Sequence, residues 1–286
     1  MSNFHNKSLS AETLRKLKRL KHIALDMDGT IYMGNTLFPF TNPVLEGFGE
    51  MGVGHSFLTN NPTRSVQAYI DKLHKMGIAC TDDNMYTTSI ATIDYIKTHF
   101  PQARRLFILG TPSCIEQFVK AGFEMCEDSP EDKPDVVIAS FDRTLVYSRF
   151  CRTAWWISQG VPYLATNPDW VCPTDEQTIL IDCGSITAAL TAATGRKPDC
   201  VLGKPDPSML QGIMDRHGLE KEEMAMIGDR LYTDVATAIN AGSVGVLVLS
   251  GESTMQTVAE SDVVPTIICN DLEEFFYWLK KAKEEN

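Results

Sequence analysis

Four times along the chain a short, largely apolar run stops at a small polar cluster. His22-Ile23-Ala24-Leu25 gives way to Asp26-Met27-Asp28-Gly29-Thr30, and His55-Ser56-Phe57-Leu58 to Thr59-Asn60-Asn61-Pro62. Met224-Ala225-Met226-Ile227 ends in Gly228-Asp229-Arg230, and Val244-Gly245-Val246-Leu247-Val248-Leu249 in Ser250-Gly251. Runs without polar alternation have no solvent face, so such strands must be covered on both sides, as in a parallel sheet. Helical stretches lie between them, at about residues 63–76 with Gly77 as stop, and from Arg230 to about Ala241 with Gly242 as stop. Strands alternating with helices predict an α/β fold with a doubly wound, Rossmann-like parallel sheet. Groups just past the carboxyl ends of such strands meet in one crevice. Asp26, Thr59 and Asp229 are therefore expected to be neighbours.

A length of 286 residues with 43% hydrophobic content supports one large core or two modest ones. The strand and helix pattern restarts after Thr81, with apolar runs at 106–109, 136–139 and 163–165. About 120 residues suffice for an independent core. The expected organisation is a core domain over 1–82, an inserted α/β domain over 83–199, and the core resumed over 200–286. Ahead of the first strand, Ser8 and Ser10 precede a basic helix with Leu14, Leu17 and Leu20 on one face. Its charges read as a solvated face, with contact to an anionic surface as the alternative.

With 26 Lys plus Arg against 37 Asp plus Glu, the net charge of -11 argues against nucleic acid or anionic lipid as partner. The eight cysteines are scattered, without zinc-finger spacing, and read as reduced thiols of a cytoplasmic protein. No export signal or membrane-spanning run is visible in the sequence.

Asp26 and Asp28 stand two residues apart at a strand end, followed by Gly29 and Thr30. Carboxylates held this close raise each other's pKa unless a cation offsets them, and their roles can diverge. One reading makes Asp26 a nucleophile and Asp28 a general acid and base; the other is a turn whose carboxylates cap the next segment. Asp229 and Asp234 follow another strand, so up to four carboxylates converge. An oxygen-only set without nearby His or Cys suits Mg2+ rather than zinc. Thr59 and the Asn60 amide are expected where a helix begins, a place suited to phosphate oxygens. Lys204, in Gly203-Lys204-Pro205, offers a compact positive charge from a rigid turn or forms a surface turn only. Together these groups match phosphoryl transfer, which needs a nucleophile, charge neutralisation on the phosphoryl oxygens and a proton donor for the leaving group.

These segments, in this order, resemble the haloacid dehalogenase superfamily of phosphohydrolases. Leu58-Thr59-Asn60-Asn61-Pro62-Thr63, Ala165-Thr166-Asn167-Pro168-Asp169, Gly203-Lys204-Pro205-x-Pro207 and Gly228-Asp229-Arg230-Leu231-x-Thr233-Asp234 are similar to its subfamily IIA. That group holds NagD-type sugar phosphatases, para-nitrophenyl phosphatases, phosphoglycolate phosphatase and pyridoxal phosphate phosphatase. The resemblance implies Asp26 as nucleophile and Mg2+ ligand, and Asp28 as acid and base with its backbone carbonyl on the metal. It implies Asp229 as a direct ligand, Asp234 as a direct ligand or one that orders the direct ones, and Thr59, the Asn60 backbone and Lys204 as the phosphoryl clamp. It also implies a large C2-type α/β cap between the Thr59 and Lys204 motifs, a small phosphorylated metabolite as substrate, and allows a homodimer.

Relatives usually carry Pro-Gly-x-Gly-Ser in the cap, where this chain has Ile181-Asp182-Cys183-Gly184-Ser185. The loop thus gains a carboxylate, and Cys183 reads as a packed thiol or a reactive one. Asn167, Asp169 and the loop 170–176 are candidates for leaving-group contacts, with an Asx-type turn as the alternative for the first two. Trp155 and Trp156 read as packing residues or as a stacking platform. Two other functions fit the same residues: a phosphomutase using the same aspartyl-phosphate, and a non-catalytic sensor of phosphorylated metabolites.

Overall fold

The computed structural model describes residues 8–172, 174 and 177–284. They form two compact units, one from the described parts of 1–58, 70–85 and 205–286, the other from 59–69 and 86–204.

The first unit is built on a six-stranded sheet ordered β15 (Ile267–Cys269), β14 (Val244–Val248), β13 (Met224–Gly228), β1 (His22–Asp26), β4 (Gly54–Thr59) and β5 (Met85–Thr87). β13 and β4 flank β1 in parallel, with Ala24 opposite Met226 on one side and Ser56 on the other. Ile23, Ala24 and Leu25 are fully buried, as are all five residues of β13. Their apolar side chains meet helices on both faces, which is why these runs show no alternation. A short hairpin, β2 (Tyr32–Met33) with β3 (Thr36–Leu37), leaves the end of β1. Around the sheet lie α1 (Ala11–Arg19), α2 (Thr41–Glu50), α8 (Ser208–His217), α9 (Ala236–Ala241), α10 (Met255–Ala259) and α11 (Leu272–Glu284), while α3 (Val66–Lys75) follows β4.

Local chemistry sets the ends of these elements. Ser10 caps α1, its hydroxyl accepting from Thr13 N at 3.0 Å, and Gly242 ends α9 in the left-handed region at φ +71°. α1 packs on α11, and α2 meets α11 through Phe48, edge-on to Phe275 and Phe276 at 6.3 and 5.8 Å. Fully buried Phe48 contributes roughly 2–3 kcal/mol by its removal from water. Inside α11 the buried Glu274 carboxylate accepts from Asn270 N, Asn270 Nδ2 and Trp278 Nε1. Without those donors its charge would be costly there.

The second unit has a five-stranded sheet ordered β12 (Cys200–Val201), β9 (Tyr163–Ala165), β8 (Val136–Ala139), β6 (Arg105–Leu109) and β7 (Glu124–Met125), again parallel. Its helices are α4 (Thr88–His99), α5 (Pro112–Lys120), α6 (Tyr147–Ser158) and α7 (Cys183–Thr194), and β10 (Val171–Cys172) pairs with β11 (Leu180–Ile181) as a small hairpin. Alternate side chains of one strand feed two cores. Leu106 and Ile108 join Ile96 and Phe118 on one face, whereas Phe107 and Leu109 join Trp156 and Tyr163 on the other. Trp156 is thus core, at 4% exposure, while its neighbour Trp155 on α6 is 46% exposed. All eight cysteines are free thiols, and no helix of the described residues is long and apolar enough to cross a membrane.

Candidate active site

In the first unit, the parallel register that sets Leu25 opposite Ile227 sends Asp26 and Asp229 off neighbouring strands at the same edge of the sheet. Asp234 reaches them by a different route. Residues Leu231–Val235 form a single wide π-helical turn, and Asp234 Oδ2 accepts from Arg230 N at 3.1 Å. Turns of this kind recur at functional sites because they re-aim one side chain. One carboxylate oxygen each from Asp26, Asp229 and Asp234 lies within 4.8 Å of the others. Asp229 and Asp234 are buried at 3% and 0% exposure, and Asp26 is half-buried. Asp28 stands apart from this trio. Its side chain is exposed, and Oδ1 accepts from Gly34 N at 3.4 Å.

Glycines make room for the acids. A Cβ on Gly29 or Gly251 would overlap the Asp229 carboxylate, and one on Gly228 would overlap Asp234. Gly29 also sits at φ +87°, where a side chain is strained in any case. The segment after β14 closes around Asp229: Glu252 N donates to Asp229 Oδ2 at 2.7 Å, Ser253 N to Asp229 O at 3.1 Å, and Ser250 Oγ to Gly29 O at 2.6 Å. Arg230 Nε pairs with Glu252 Oε2 at 2.8 Å, and Tyr232 OH donates to Glu252 Oε1 at 3.0 Å. Burial opposes the Arg230 charge, but Tyr232, Glu252, Asp229 and Asp26 outweigh it and hold the guanidinium firmly protonated.

Two unit charges about 5 Å apart repel by roughly 3 kcal/mol at an effective dielectric constant near 20. Three carboxylates in one cradle accumulate several such terms, and a divalent cation removes them. The donor set is all oxygen, with neither His nor Cys in the group, which fits a hard cation such as Mg2+.

The second unit carries the other expected residues. Thr59 ends β4, and its Oγ1 accepts from Asn61 N at 3.2 Å. The expectation that Thr59 and Asn60 open a helix is not met. α3 starts only at Val66, because Asn61 Oδ1 accepts from Thr63 N at 2.9 Å and builds an Asx turn first. Asn60 brackets Lys204: its Oδ1 accepts from Lys204 N at 2.8 Å and its Nδ2 donates to Lys204 O at 3.0 Å. Lys204 is 4% exposed and follows Gly203 at φ +79°.

Asn60 Nδ2 also donates to Asp169 Oδ2 at 3.1 Å. Asn167 is fully buried, and its Nδ2 donates to Asp169 Oδ2 at 3.2 Å and Asp182 Oδ1 at 2.9 Å. Asp182 caps α7 by accepting from Cys183 N. Burial pushes the Asp182 carboxyl up to about 6; the Asn167 amide and Cys183 N–H pull it down, and Asp169 pushes it up again. Cys183 is a packed thiol, raised to about 12 chiefly by burial, its Sγ donating to Ala139 O at 3.4 Å. Of the loop 170–176, residues Pro173, Asp175 and Glu176 lie outside the described residues.

Sequence reasoning passed over Arg230, Ser250 and Glu252 beside Asp229, and missed the partners of Asp182. Ser250-Gly251 did stand at a strand end, which was the available signal. The Asp182–Asn167 bond spans 15 residues of chain and leaves no local pattern.

The haloacid dehalogenase-like hydrolase family model matches residues 23–124, and a second model, described as HAD-hydrolase-like, matches 201–275. The acid sugar phosphatase of Staphylococcus aureus is 30% identical over 265 residues, covering 93% of this chain and 100% of the relative. The 4-nitrophenylphosphatase from Thermotoga maritima superposes with a TM-score of 0.85 at 37% identity, covering 92% of this chain and 98% of that one. The glycerol phosphate phosphatase from Mycobacterium tuberculosis, solved in complex with magnesium, gives 0.81 at 26% identity, covering 90% of this chain and 77% of that one. With a cradle of three crowded acids at the strand ends and a full-length likeness to phosphatases, the chain belongs to the haloacid dehalogenase-like hydrolases, on the branch of the sugar and nitrophenyl phosphatases.

Proposed function

We propose that this protein is a Mg2+-dependent phosphomonoesterase that hydrolyses a small phosphorylated metabolite through an aspartyl-phosphate intermediate. The observation that carries the reading is the convergence of Asp26, Asp229 and Asp234 in one glycine-walled cradle. The Asp26 carboxylate attacks phosphorus, and the leaving-group oxygen takes a proton from Asp28 as its bond to phosphorus breaks. Asp28, now a carboxylate, takes a proton from water. The resulting hydroxide attacks the phosphorus of the Asp26 acyl phosphate, breaking its O–P bond, releasing phosphate and restoring the Asp26 carboxylate. Thr59, the Asn60 N–H and the Lys204 ammonium hold the phosphoryl oxygens and offset their charge.

The carboxylates of Asp26, Asp229 and Asp234 and the backbone carbonyl of Asp28 would hold Mg2+, which supplies positive charge opposite the phosphoryl oxygens. The Mycobacterium tuberculosis relative, solved with magnesium, supports this choice of ion. The activities for which the relatives are named favour a sugar phosphate, a glycerol phosphate or an aryl phosphate as substrate. In this reading residues 83–199 act as a cap, and Asn167, Asp169 and the segment that follows belong to its leaving-group side. Eight free thiols suit a reducing cytoplasm, and the reading is compatible with a homodimer.

The test is phosphate release from p-nitrophenyl phosphate. It should require Mg2+, stop on adding EDTA, and fall by about a thousandfold or more in Asp26→Asn with the circular dichroism unchanged. Wild-type turnover in Asp26→Asn would remove the nucleophile assignment.

A further inference from the structure

We propose that Asp182 is a positioning residue for the Lys204 turn, acting through a partly buried hydrogen-bonded chain that runs Asp182, Asn167, Asp169, Asn60, Lys204. The inference rests on the reading of Lys204 as a phosphate-binding group.

Each link has one possible sense. Ionised carboxylates only accept, so the Asn167 group facing Asp169 and Asp182 is its Nδ2, which leaves Oδ1 2.9 Å from Thr166 Oγ1. Asn60 Oδ1 accepts from Lys204 N, so its Nδ2 must serve Lys204 O and Asp169 Oδ2. Asp169 is the junction: a single oxygen, Oδ2, receives both amides. Asp182 is the far anchor, because the α7 backbone fixes its Oδ1 through Cys183 N. A rigid helix start thus sets the Asn167 amide, which sets Asp169, which sets the amide that brackets both backbone groups of Lys204.

Capping α7 does not by itself account for this residue. Ser or Asn caps a helix as well as Asp does, without placing a second carboxylate near Asp169. Asp182 is 3% exposed, Asn167 0% and Lys204 4%, while Asp169 and Asn60 between them are half-buried, so the two ends of the chain are shielded from water. Burial opposes the Asp182 charge, and the Asn167 amide and Cys183 N–H offset part of that cost. A buried polar chain satisfied at every link is rigid; one broken link leaves its neighbours free to rotate.

The experiment compares wild type, Asp182→Ala, Asp182→Asn and Asn167→Ala in p-nitrophenyl phosphate turnover with Mg2+, in competitive inhibition by orthophosphate, and in Tm. Asn keeps the acceptor oxygen that both Cys183 N and Asn167 Nδ2 use. Asp182→Ala and Asn167→Ala should each raise the orthophosphate inhibition constant roughly tenfold, while Asp182→Asn stays within about twofold of wild type. Asn167→Ala leaves the helix cap intact, so it carries the test if Asp182→Ala fails to fold. An unchanged inhibition constant in Asn167→Ala, or equal loss in Asp182→Asn and Asp182→Ala, overturns the inference. A wild-type protein that releases no phosphate sinks the phosphatase reading instead, so the two failures are distinct.

Discussion

The backbone N–H of Glu252 donates to Asp229 Oδ2 at 2.7 Å, joining the segment after β14 to the acid that leaves β13. That bond needs Gly251 beside it, since a Cβ there would overlap the Asp229 carboxylate. Gly251→Ala should displace Asp229 from the trio. The Mg2+ concentration for half-maximal activity is expected to rise by about tenfold or more, in line with measured effects of disturbing groups that orient a metal ligand. A magnesium titration of initial rates checks it; an unchanged midpoint counts against the packing argument.

Crowded carboxylates also make a stability prediction. Mg2+ at about a hundred times its dissociation constant stabilises the fold by roughly 2.7 kcal/mol, a Tm rise of several degrees for a chain of this length. Asp26→Asn removes one charge from the trio. Its Tm in EDTA should therefore exceed that of wild type, and its rise on adding Mg2+ should be smaller. Differential scanning calorimetry with and without the metal decides both points.

His22 sets a pH limit far from the acids. It is 5% exposed, its Nε2 lies 2.8 Å from Ser56 Oγ, and its ring stacks on His217 at 4.4 Å. Burial, then the neighbouring His217 and His55, lowers its pKa to about 3. Below its ordinary value near 6.5 the unfolded chain binds a proton that the folded one refuses, so stability falls as pH drops from 6.5 toward 3. Between pH 6.5 and 5 the loss is about 2 kcal/mol. Urea midpoints across that range should fall less steeply in His22→Gln.

Asp182 runs in the opposite direction. Its folded pKa is raised, so the folded chain holds the extra proton between the ordinary carboxylate value and about 6, and carries the cost of a buried charge above that. Asp182→Asn should therefore be more stable than wild type at pH 8, by on the order of 2 kcal/mol, with the gain vanishing below about pH 4. Equal stabilities at pH 8 would show that the hydrogen bonds fully compensate the burial.

The adjacent tryptophans of α6 separate core from surface. Trp156→Ala should cost roughly 3–5 kcal/mol, whereas Trp155→Ala should cost less than about 1 kcal/mol. Chemical denaturation of the two variants measures the difference, which follows from 4% against 46% exposure.

Much of this architecture is written locally. His22-Ile23-Ala24-Leu25 and Met224-Ala225-Met226-Ile227 are apolar on both faces, and that alone requires a covered parallel sheet. Ser10 and Gly242 mark helix ends through the geometry of their own residues. Asp26, Asp229 and Asp234 stand out because acids at strand ends are costly unless they serve a ligand. The short strands β7, β10, β11 and β12 have two residues each and carry no periodic signal. Likewise the start of α3 at Val66 depended on which acceptor Asn61 found, a choice between a turn and a helix that composition leaves open.

The sequence by itself determined the alternation of strand and helix, the acids that end the strands, and the family to which the chain belongs, because each is encoded in contiguous residues. Only the tertiary structure decided that Glu252 and Gly251 wall in Asp229, that a π-helical turn returns Asp234 to its partners, and that Asp182 is tied to Lys204 through Asn167, Asp169 and Asn60. Those relationships join residues far apart along the chain. They exist only once the backbone has closed and brought these polar groups within hydrogen-bonding reach of one another.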